Sequence, residues 1–85
     1  MPELSRFFGI IITMFFNDHE PCHFHARYGE FATSIAVDDL RVLQGQLPPR
    51  ALALTVEWAA QHQDDLHRAW EAVKVGSRIT IEPLR

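Results

Sequence analysis

Residues 22–37, CHFHARYGEFATSIAV, alternate in character on both sides of a single glycine. Before Gly29, Phe24, Ala26 and Tyr28 share one parity, and His23, His25 and Arg27 share the other. After it, Phe31, Thr33, Ile35 and Val37 alternate with Ala32, Ser34 and Ala36. Successive side chains of a strand point to opposite faces, so this pattern predicts an antiparallel hairpin with one apolar and one polar face. A two-residue turn at Tyr28-Gly29 sets His25 opposite Ala32 and His23 opposite Ser34. A turn at Gly29-Glu30 shifts the pairing but keeps the same residues on each face. In either register, two imidazoles and a guanidinium stand over a row of small side chains. That describes an open surface, not a packed one.

Working outward, residues 7–16, FFGIIITMFF, are apolar at both parities. They read as one central, N-terminal strand buried on both faces. Asn17 to Pro21 supplies turn chemistry. On the other side, Asp38-Asp39 reads as a turn and Leu40 to Leu43 as a third short strand, giving a β meander over 4–44. Pro48-Pro49 opens a helix. Leu52, Val56, Ala59, Leu66, Trp70 and Val73 follow at spacings of 4, 3, 7, 4 and 3, with Leu54 and Trp58 widening the stripe. This is one face of a long helix over about 49–75, with Gln61 to Asp65 as the place where it would break. Gly76 suits a C-terminal cap. Residues 78–82 read as a last edge strand.

The expected architecture is α+β: an antiparallel sheet, made of the N-terminal strand, the meander and the C-terminal edge strand, packed against one long helix. One helix covers one face of a sheet. The second face is therefore expected to meet another surface, which makes a homo-oligomer, a small partner protein, or both, the expected partners.

Composition sets the limits. The chain has 85 residues, a net charge of -3, 47% hydrophobic and 22% charged residues. That mix is globular, and the length suits a single domain over 1–85 with a folded surface of roughly 5,000 Å². The acidic balance disfavours nucleic acid as a partner except through a local site. Cys22 is the sole cysteine, so no internal disulfide forms. With no secretion signal, a reducing cytoplasm is the expected compartment. The ten-residue apolar run is short of the about 20 residues a membrane helix needs, so no membrane association is expected.

His19, His23 and His25 fall within seven residues, with Glu20 and Cys22 between them and Asp18 beside them. Two chemistries suit this cluster. Asp18, His19, His23 and His25 offer the nitrogen and carboxylate donors of a divalent transition-metal site such as zinc. Without metal, His19, His23 and His25 offer a general base and a general acid, and Arg27 a phosphate anchor, as a small nuclease requires. A purely structural reading has the histidines capping turns. Cys22 and His23 are adjacent on a strand and face opposite ways, which argues against a Cys–His nucleophile. His62 and His67 lie about 140° apart around a helix and do not share an ion. Trp58 and Trp70 read as core anchors.

Three stretches carry a family resemblance: LSRFFGIIITMFFNDHEPCHFHARYGE (4–30), LPPRAL (47–52) and VEWAAQHQDDL (56–66). They resemble a family of small bacterial proteins catalogued as domain of unknown function forty-one sixty, over nearly the whole chain. The family signature D-H-x-P-P-H-F-H-A is matched by Asp18, His19, Pro21, His23, Phe24, His25 and Ala26, with Cys22 in place of the second proline. The resemblance brings no established activity. It implies a protein found beside another small protein, in pairs that look like toxin–antitoxin modules. The expected function is therefore a component of such a module with a His-cluster site, as a small nuclease or metal-dependent hydrolase if it is an enzyme. The alternative is a non-enzymatic oligomeric interaction module or regulator.

Overall fold

The computed structural model describes residues 3–15 and 19–85. Five strands, β1 (Glu3–Phe7), β2 (Ile10–Thr13), β3 (His23–Tyr28), β4 (Phe31–Ala36) and β5 (Val42–Gln46), precede two helices, α1 (Pro49–Gln61) and α2 (Gln63–Lys74). The strands form one antiparallel sheet in the order β1-β2-β3-β4-β5, so each pairs with its sequence neighbours. The α+β class and the antiparallel sheet are as expected; several details differ.

The β3–β4 hairpin turns at Gly29-Glu30, with Tyr28 opposite Phe31, His25 opposite Ser34 and His23 opposite Ala36. Gly29 has φ 60° and Glu30 does not share a positive φ, which is the pattern of a type II′ turn with glycine first. Phe24, Ala26, Ile35 and Val37 are buried beneath the helices.

The apolar run 7–16 is not one central strand. The chain reverses at Phe8-Gly9, where φ is 49° and 81°, and Phe7 pairs with Ile10. Two consecutive positive φ values are those of a type I′ hairpin turn. The run looked apolar on both faces because Phe7, Ile10, Ile12 and Met14 are buried while Ile11 and Phe15 are only half-buried.

The third strand expected at 40–43 runs instead from Val42 to Gln46. Leu40 sits in the preceding turn at φ 59°, with its N–H on the Ala36 carbonyl. The Asp39 carboxylate accepts from the Arg41 N–H and guanidinium. Those bonds, the backbone one first, hold its carboxyl below the usual range.

The long helix is two helices meeting at His62 (φ -131°, ψ 26°), within the segment where a break was expected. The junction is tied to the sheet: the Gln63 side-chain amide donates to the Val37 and Asp38 carbonyls at 2.7 and 3.1 Å. The buried positions of α1 are Ala51, Thr55, Trp58 and Ala59, so its inward face centres on Thr55 and Trp58, with Leu52 partly buried against the core at its edge. Trp58 decides this. Its ring packs against Phe7 and Phe24 at 5.4 and 5.9 Å, and the largest apolar side chain sets which face meets the sheet. The Thr55 hydroxyl then satisfies itself on the Ala51 carbonyl. In α2, Leu66, Trp70 and Val73 are buried as the spacing predicts. Gly76 (φ 78°) ends it, with the Ser77 N–H on the Ala72 carbonyl and the Gly76 N–H on the Val73 carbonyl, a Schellman cap.

Residues 78–82 are not a strand. The Ile81 N–H reaches the Leu4 carbonyl at 2.7 Å, but the Glu82 carbonyl is taken by the Trp58 indole at 2.8 Å. A helix side chain, not a ladder, anchors this segment. The accessible surface, 5136 Å², agrees with the size-scaling expectation, so the chain folds to ordinary density.

Candidate functional site

Both helices lie on one side of the sheet, against the Phe24 and Ile35 parity. The other parity forms an open face, and the register orders it in rows across the strands. One row runs Arg6, Ile11, Arg27, Ala32, Gln46. The next runs Glu3, Thr13, His25, Ser34, Gln44. His23 stands opposite Ala36 in the third.

His23 and His25 are two apart on β3 and so project to the same side. Their rings are 5.1 Å apart, edge to face. His23 Nδ1 lies 2.7 Å from the Pro21 carbonyl oxygen. A carbonyl only accepts, so Nδ1 carries a proton, and in the neutral ring Nε2 is the basic nitrogen. The same ring lies 5.4 Å from Trp70 of α2. His25 is held on two sides: its Nδ1 is 3.3 Å from Ser34 Oγ, and its ring meets Phe15 edge-on at 4.3 Å. Shallow recesses flank His25. One, of about 200 Å³, is lined by Ile11, Thr13, Phe15, Arg27 and Ala32. The other, of about 240 Å³, is lined by Ala32, Ser34, Gln44 and Gly45.

Of the expected site residues, His23, His25 and Arg27 share this face, and Arg27 is exposed. His19 is exposed, and among the described residues no contact joins it to either ring. Asp18 lies outside the described residues. Among the described residues no three His, Cys, Asp or Glu side chains converge as metal donors. Among the described residues the two imidazoles form a donor pair, two of the three or four protein ligands that zinc takes.

Sequence reasoning missed the Pro21 carbonyl, Phe15 and Trp70 as neighbours of the pair. Trp70 is a core anchor as expected, and it also backs His23. Lys74 sits 5.7 Å above the Trp70 ring and 3.7 Å from the Glu20 carboxylate, which links the end of α2 to the segment before β3. Cys22 is buried on the helix side, and burial, with Asp38 and Glu20 nearby, pushes its thiol up to about 12. It is no nucleophile at neutral pH. His62 and His67 lie apart: His62 Nδ1 meets the Trp58 carbonyl at 2.9 Å, and His67 Nε2 meets Asp38 at 3.0 Å.

Fold and site together define a small α+β protein with its helices on one side of the sheet and a histidine pair on the other parity of β3, His23 at its edge against Trp70. The chain belongs to the family described as Domain of unknown function (DUF4160), whose model matches residues 9–71. No curated protein and no solved structure matches it. No helix among the described residues is long and apolar enough to cross a membrane.

Proposed function

We propose that this protein is one component of a toxin–antitoxin-type module and that the His23–His25 pair is its working site. One observation carries the reading: two imidazoles stand 5.1 Å apart on one parity of β3, His25 on the open face and His23 at its edge against Trp70, with Arg27 on the same parity. Imidazole serves as both proton acceptor and donor near neutral pH, and an adjacent guanidinium holds an anionic substrate. The lone buried thiol of Cys22 suits a reducing cytoplasm.

The test is expression of the full chain without a partner. Growth slows with the native protein and is restored when His23→Ala and His25→Ala are combined. Equal toxicity of the double variant, shown to be folded by its thermal melt, would remove the pair from the site.

A second reading rests on the half-exposed apolar side chains Ile11 and Phe15 on the same face. They suit a non-enzymatic module whose open face is closed by a second copy or a small partner protein. Sedimentation at high concentration separates the two: a strict monomer that also leaves its genomic neighbour unbound counts against this reading.

A further inference from the structure

We propose that the helix side of the sheet carries a docking site at its hairpin end, and that its occupant is an acidic segment of a partner protein seated by one apolar side chain. This end belongs to the parity of β3 opposite to His23 and His25, so the site stands whether or not the imidazoles do chemistry.

Phe8 is the starting point. At φ 49° its backbone is in a region that disfavours a Cβ, and its ring is exposed to water. Among the described residues its one ring-to-ring contact is edge-on with Phe7 at 6.4 Å. Neither the turn nor the core needs a phenylalanine there. Strain and exposure of this kind are kept at binding sites, where the side chain serves a contact outside the fold.

Phe8 has aromatic company. Phe7 pairs with Ile10, Ile10 with Tyr28 and Tyr28 with Phe31, so the β1–β2 and β3–β4 turns bring Phe8, Tyr28 and Phe31 to one end of the sheet. All three are exposed. Between the first two of these rings and the start of α1 lies a recess of about 190 Å³. Ile10 and Ala51 are buried beneath it, and Phe8, Tyr28, Arg50 and Leu54 surround it. A cavity of about 150 Å³ holds a benzene ring, so this recess takes one aromatic or branched side chain. Phe31 extends the apolar surface past the recess, which suits a polypeptide better than a small molecule that only fills it.

Arg50 sets the charge of the occupant. Two aromatic walls alone would also suit a cation. A guanidinium at the rim repels a cation and attracts a carboxylate. Arg50 is exposed, the first turn of α1 has no acidic residue, and among the described residues Arg50 forms no ion pair. One guanidinium is little for a nucleic-acid strand, whose binding rests on neutralising several phosphates. Glu30, in the turn beside Tyr28 and Phe31, and the net charge of -3 oppose such a polyanion further. An apolar anchor with a carboxylate beside it matches both halves of the site.

The experiment titrates the isotope-labelled full chain with short synthetic peptides at up to millimolar concentration and follows its amide NMR shifts. In the first peptide one phenylalanine is flanked by aspartates; the second has alanine for the phenylalanine; the third has lysines for the aspartates. The first gives saturable shifts at Gly9, Tyr28, Arg50 and Leu54 and leaves α2 unmoved. The second and third bind at least about tenfold more weakly. Arg50→Gln, with an unchanged melt, weakens the first peptide by about tenfold. Phe8→Asn weakens it similarly while raising the melting temperature, so lost binding is separated from lost folding. Absence of shifts with the first peptide, equal binding of the lysine peptide, shifts confined to other residues, or binding untouched by both substitutions would each overturn the proposal. The same amides shifting with the chain's own concentration would make the occupant a second copy. Their shifting with a mixed-sequence single-stranded RNA instead of the peptide would make it nucleic acid. Either result also overturns it.

Discussion

Phe8 holds a backbone conformation that L side chains rarely adopt, φ 49°, and is 60% exposed. The left-handed region costs a residue with a Cβ about 1–2 kcal/mol, and least for asparagine. Phe8→Asn, which makes the preferred Asn-Gly pair of a type I′ turn, is expected to stabilise the fold by about 1 kcal/mol. Its melting temperature should rise by about 4–8 °C, and a fall would mean that the Phe8 ring contributes packing beyond its edge contact with Phe7. Cys22 makes a separate prediction. Its thiol is raised from the ordinary 9.0 to about 12, so the folded state holds the proton more tightly than the unfolded chain. The resulting stability is complete below about pH 9 and is lost as pH rises toward 12, because the unfolded chain ionises first. Iodoacetamide should therefore label Cys22 slowly in the native protein at pH 8 and rapidly in urea. Equal rates would show that the thiol is neither buried nor raised.

Among the elements, β5 is the most constrained by a single position. Gly45 has φ 76°, and a Cβ there would stand 2.2 Å from the Ala32 carbonyl oxygen. Neither atom belongs to a flexible side chain, so the strand itself must move. Gly45→Ala is expected to cost about 2 kcal/mol or more, read as a lower urea midpoint with an unchanged slope. An alanine tolerated without loss would mean that β5 pairs more loosely than its register indicates. The β3–β4 hairpin was legible because a strict two-residue alternation met a glycine. The β1–β2 reversal was not, since Phe8-Gly9 carries half of the usual turn signal and lies inside an apolar run. Leu40 hid the start of β5 in the same way, by taking a positive φ that leucine does not advertise. The break at His62 was legible from the length of the helical stripe alone, without a glycine or proline to mark it; the Gln63 bonds to Val37 and Asp38 that fix it join positions far apart in the chain.

At the scale of the whole molecule, the decisive property is asymmetry. Helices and core lie on one side of the sheet; His25 and Arg27 lie on the other. Parity alone placed His23, His25 and Arg27 on one face over small residues, so that much of the candidate site was readable. The Pro21 carbonyl, Phe15 and Trp70 were not, because each reaches the pair through a turn or a helix packed from a distance. Trp70 carries one more consequence. Its indole N–H is buried with no acceptor among the described residues, and its ring lies against His23. The fluorescence of an indole responds to its neighbours, so occupation of the open face should alter the emission of this tryptophan. In a Trp58→Phe background the protein becomes its own optical gauge, reporting a visitor without any dye attached.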